Sequence, residues 1–81
     1  MTHKERLYNA LKSEFESEIN EALLTLDLCF NKATAIGEHT SGHFLEEASK
    51  AITKLVDGRD KLDTLNTYMQ GPVGNKKLLN D

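Results

Sequence analysis

Three lysines, Lys50, Lys54 and Lys61, are spaced four and seven residues apart, so on a helix they return to nearly the same angle. His43 and Tyr68 fall on the same line, and Glu47 and Asp57 interrupt it. Such a row is either a solvated face with i,i+4 ion pairs, each worth tenths of a kcal/mol, or an anion-binding edge with an aromatic at one end. Arg59 projects to the flank of an apolar stripe, where a guanidinium needs a carboxylate, a carbonyl or a ligand phosphate. Earlier in the chain Tyr8 has Asn9 and Lys12 beside it and Arg6 upstream. A tyrosine there either packs with its hydroxyl at the rim or stacks on a base.

Other clusters point away from catalysis. His39, His43, Glu46 and Glu47 are close in sequence, and two histidines with a carboxylate can hold a metal. His39 falls in a loop, however, and the glutamates suit the first turn of a helix, so capping and solvation are the expected roles and no metal is expected. Glu14, Glu16, Glu18 and Glu21 lack the Glu-x-x-His pairing of a di-iron bundle and read as a solvated face. No nucleophile–base pair and no Gly-rich phosphate loop is visible. The expectation is a protein that is not an enzyme and uses no cofactor.

These residues must be positioned by two helices. One stripe runs Tyr8, Leu11, Phe15, Ile19, Ala22, Leu26, Phe30, Ala33, and a second runs Phe44, Ala48, Ile52, Leu55, Leu62, Leu65, Met69. Steps of three and four residues keep one helix face apolar. Thr2 with Glu5 has capping-box spacing, and Gly37 is a natural stop. Helix A is therefore expected over about 2–36. Thr40 or Ser41 can cap helix B, expected over about 41–69 and ended by Gln70-Gly71-Pro72. The fold class expected is all-α: an antiparallel hairpin over 1–72 followed by a flexible tail over 73–81. Asp57-Gly58 is a turn signal, yet the apolar phase continues across it. A continuous helix is expected, with Gly58 allowing close helix–helix approach and Gly58→Ala mild or neutral.

The totals set further bounds. A chain of 81 residues has little core and commonly relies on disulfides, metal or self-association. An intramolecular disulfide is excluded, because Cys29 is the only cysteine, and it is expected in the core. Two helices cannot bury both stripes well, so a homo-oligomer is expected. Leu24 and Leu28 project away from the main stripe and are the expected oligomer interface. A net charge of −3 argues against duplex nucleic acid as a partner. No apolar run is long enough to span a membrane and no signal peptide is visible, so a cytoplasmic protein is expected.

The run Ser49-Lys50-Ala51-Ile52-Thr53-Lys54-Leu55, with Arg59 four residues on, resembles the second helix of small phage hairpin proteins. Those proteins sequester the cyclic oligonucleotide signals of CBASS, a bacterial antiphage defence. The organisation is similar over roughly residues 8–69. The resemblance implies a helical oligomer with pockets between protomers, binding cyclic di- or trinucleotides without cleaving them in the host cytoplasm. It implies Tyr8 as a stacking aromatic, with Thr53, Lys54 and Arg59 as ligand contacts and Lys12 beside Tyr8. The chain departs from the pattern after Arg59, where Asp60-Lys61-Leu62-Asp63-Thr64-Leu65 stands in place of an aromatic-rich stretch. The competing expectation is a small helical protein–protein interaction module, inhibitor-like or antitoxin-like, with no small-molecule ligand.

Overall fold

The computed structural model describes the backbone of residues 1–36 and 41–79, and the side chains of residues 1–32 and 42–70. It is an all-α helical hairpin of two elements, α1 (His3–Ile36) and α2 (Ser41–Leu79). Thr2 and Glu5 start α1 with a reciprocal box. The Thr2 N–H donates to Glu5 Oε1 at 2.9 Å, and the Glu5 N–H donates to Thr2 Oγ1 at 3.1 Å. Two amides that the helix ladder leaves without partners are thereby satisfied. The first helical bond follows, from Arg6 N–H to the Thr2 carbonyl. The expected stop at Gly37 and cap at Thr40 lie outside the described residues, as does the Ser41 side chain.

α2 continues through Asp57-Gly58, as its unbroken apolar phase predicts. It also continues past Gln70-Gly71-Pro72 to Leu79, where the sequence predicts an end near Met69. Pro72 removes its own N–H bond to residue 68 and its ring crowds that residue's carbonyl, although its fixed φ of about −65° is itself helical. Val73, Gly74 and Asn75 follow, and only then the better helix formers Lys76, Lys77, Leu78 and Leu79.

The seam between the helices is built on small residues. Among the described residues the buried apolar side chains are Ala22, Cys29, Ala51 and Leu55. Tyr8, Leu11, Phe15, Ile19 and Leu26 on α1 are half-buried, as are Phe44, Leu62, Leu65 and Met69 on α2. Phe30 and Ile52, both expected on the seam, are exposed, and the residues one place earlier, Cys29 and Ala51, face inward instead. The reason is visible at Gly58, which is buried where the helices meet. A Cβ placed there would stand 2.9 Å from Ile19 Cγ1 and 3.5 Å from both the Ile19 N and the Phe15 carbonyl oxygen. Close approach at Gly58, Ala22 and Ala51 centres the seam on small side chains and turns the large ones to its edges. The plate that results is only 14 Å thick along its shortest axis. Among the described residues no helix is long and apolar enough to cross a membrane.

Candidate functional site

The two edges of the seam differ in chemistry. One edge is charged. Lys54 Nζ donates to Glu21 Oε1, and Lys61 Nζ donates to Glu18 Oε1 at 3.2 Å. Lys61 also sits over the Phe15 ring, 5.7 Å from its centroid, within cation–π range. Lys50 pairs within its own helix with Glu46 at 3.4 Å. The lysine row is therefore mostly a ladder between helices, and two of the four glutamates read as a solvated face are its partners. Exposed pairs of this kind contribute about 0–1 kcal/mol each. Their larger effect is on register, because each ties a stated level of α1 to a stated level of α2.

The opposite edge carries no ion pair between the helices among the described residues. Arg59, five residues after Lys54 and so about 140° around the helix, belongs to this side. It is exposed and forms no ion pair among the described residues.

The five residues expected to bind a ligand do not converge within one chain. Tyr8 is half-buried and its hydroxyl donates to Asn66 Oδ1 at 2.7 Å, tying the open end of the hairpin. Asn66 is twelve residues beyond Lys54, or about 18 Å along the helix. Lys12 is half-buried on α1. Thr53 is exposed on α2, and its hydroxyl donates to the Ser49 carbonyl at 3.3 Å. Lys54 and Arg59 point to opposite edges. Single-helix projection carries no information about how levels match across the pair.

A cleft of about 550 Å³ lies at the open end, with Leu7, Tyr8, Leu11, Leu65, Tyr68 and Met69 on its walls and His3 and Lys4 also lining it. Tyr68 is 75% exposed there. Sequence reading placed Tyr68 at the end of the lysine row but did not bring it beside Tyr8. His43 packs tilted against Phe44, 5.7 Å between ring centroids. Among the described residues no three His, Cys, Asp or Glu side chains group together for a metal, and His39 lies outside them. Leu24 and Leu28 are exposed, as expected. The shallow groove beside Leu24 is otherwise walled by polar residues, among them Ser13, Ser17 and Asn20.

Fold and surface together define a two-helix hairpin with one edge bridged by ion pairs, an opposite edge that carries the exposed Arg59, and an aromatic cleft at its open end. Compared with known proteins, the chain matches no family model, no curated protein and no solved structure.

Proposed function

We propose that this protein is a non-catalytic helical interaction module that works as a self-associated hairpin. The observation that carries the reading is the split between what is buried and what is not. Leu55 is the largest member of the buried apolar set, while Leu7, Leu24, Leu28, Phe30, Leu45, Ile52, Val56 and Tyr68 are exposed. A lone hairpin gains little from hydrophobic burial, at about 25 cal/mol for each Å² removed from water. It must still offset the ordering of two long helices. Packing copies together covers the exposed side chains and supplies the missing core.

Melting followed by circular dichroism tests the reading. A fold that depends on association becomes more stable with protein concentration, so the midpoint should rise by several degrees over about a hundred-fold range. A midpoint independent of concentration would argue for a self-sufficient monomer.

Sequestration of a cyclic di- or trinucleotide is the second reading, favoured by the open-end cleft. Its two tyrosines can stack on bases, and His3 and Lys4 lie near enough to meet a phosphate. Thr53, Lys54 and Arg59 would join such a ligand only from another protomer. If this reading holds, titration calorimetry with a panel of cyclic di- and trinucleotides gives saturable heat. Tyr8→Ala then weakens it by about 1–3 kcal/mol, the scale of base–aromatic stacking. No heat from any of them removes the reading and leaves the interaction module.

A further inference from the structure

We infer that a second copy of this chain docks on the edge of the seam opposite the Lys–Glu ladder. The docking residues are Leu23 and Phe30 on α1 with Leu45, Ile52 and Val56 on α2. The inference rests on the self-association proposed above and assigns it a surface, one that differs from the Leu24/Leu28 face expected from sequence.

Three observations carry it. The first is the asymmetry of the edges. Lys54–Glu21 and Lys61–Glu18 cover one side of the seam with charge. On the other side Leu23 is 38% exposed, Phe30 66%, Leu45 72%, Ile52 48% and Val56 49%.

The second is spacing. Leu23 and Phe30 are seven apart, as are Leu45 and Ile52, with Val56 one turn further on. The Lys54–Glu21 pair sets the level at which the helices match. It puts Leu23 level with Ile52 and one turn from Val56, and Phe30 level with Leu45. Leu23, Phe30, Leu45 and Ile52 therefore form one strip, with Val56 at its outer margin on α2. Each helix thus carries two apolar arcs side by side, one for its hairpin partner and one for another neighbour, which is the pattern of a bundle helix.

The third is area. At roughly 150–200 Å² of accessible surface for a residue of this size, the strip exposes about 500 Å² of apolar surface; a standard interface of about 800 Å² per partner contains ~450 Å² of non-polar area. The Leu24/Leu28 face offers two leucines beside a polar groove and falls short of that.

A second copy is the occupant that fits, because it brings the same strip at the same length. An isologous two-fold contact then converts two single-layer plates into one four-helix bundle with both strips buried. The charged ladders stay outside, where they remain solvated.

The test compares two double variants of the full chain by light scattering on a sizing column. Leu23→Lys/Ile52→Lys places charge on the strip, and Leu24→Lys/Leu28→Lys places it on the back of α1. Lysine is a good helix former, so both spare helix propensity. The strip variant is expected to raise the dissociation constant at least a hundred-fold and elute as a smaller species than wild type, with the back-face variant keeping the wild-type mass. A strip variant that keeps the wild-type mass while the back-face variant loses it would overturn the assignment and leave self-association standing. A wild type that is itself monomeric would overturn both.

A second measurement covers the case in which the strip variant fails to fold. Val56→Cys and Leu24→Cys are each labelled with a thiol reagent across a range of protein concentration, with buried Cys29 as slow background. Labelling at position 56 should slow about ten-fold as the protein associates, while labelling at position 24 stays constant. Equal behaviour at the two positions would contradict the assignment.

Discussion

Gly58→Leu is expected to be among the most damaging single substitutions in this chain, lowering stability by about 3 kcal/mol, at the top of the range for overpacking. The argument is geometric. The Cβ alone would fall 2.9 Å from Ile19 Cγ1, with backbone atoms of Ile19 and Phe15 at 3.5 Å behind it. Cγ1 is the inner carbon of a β-branched side chain whose χ1 is stiff in a helix, so it cannot swing clear as a chain end would. The remaining atoms of a leucine would have to force the helices apart at their closest point. Gly58→Ala gains up to ~1 kcal/mol of helix propensity and loses more than that to the Ile19 contact. It should therefore destabilise by about 1 kcal/mol, a larger cost than sequence alone suggests. Urea denaturation at fixed protein concentration reads both values. An alanine variant more stable than wild type would mean the helices do not meet at Gly58.

Leu55→Ala should cost about 2–4 kcal/mol, the usual range for truncating a buried leucine. Leu55 is the one buried side chain of that size among the described residues, the other buried apolar side chains being Ala22, Cys29 and Ala51. A domain of this length commonly has only ~4–12 kcal/mol in total. The variant is thus expected to be visibly less helical at moderate temperature. Thr53→Ala, two residues away and exposed, should stay within about 0.5 kcal/mol of wild type. A Leu55→Ala variant as stable as Thr53→Ala would contradict the placement of the core on this seam.

How much of this was legible in the sequence depends on what each feature needs. The start of α1 was readable, because Thr2 and Glu5 form a local device three residues apart. The continuity of α2 across Gly58 was readable too, because phase is a property of one helix. The burial of Cys29 was readable as well; the exposure of Phe30 beside it, and the choice of Ala51 over Ile52, were not. Adjacent residues differ by about 100° around a helix, and which one faces the partner depends on how closely the helices approach. That distance is set by Gly58, Ala22 and Ala51 acting together across two elements. The ladder of Lys54 with Glu21 and Lys61 with Glu18 needs the register between the helices, which no single-helix projection contains. The end of α2 misled for a simpler reason. Gly-Pro is a strong stop signal in general, since proline loses one backbone bond and crowds the preceding turn, yet its own φ is helical and the turns after it can still form.

The expected ligand residues follow the same logic. Thr53, Lys54 and Arg59 share a second-helix run, and Tyr8 with Lys12 lies on the first helix. In the hairpin they lie at different levels and on different edges. Tyr68, which stands beside Tyr8 in the open-end cleft, was visible only as the end of a lysine row. Its approach to Tyr8 comes from antiparallel pairing of the first turns of α1 with the middle of α2.

The central claim is that this hairpin is completed by association, and the mass of the 81-residue chain in solution tests it most directly. Light scattering at micromolar concentration should give at least twice the 9.1 kDa of one chain, falling on dilution together with helicity. A fully helical species of 9.1 kDa at every concentration would contradict it.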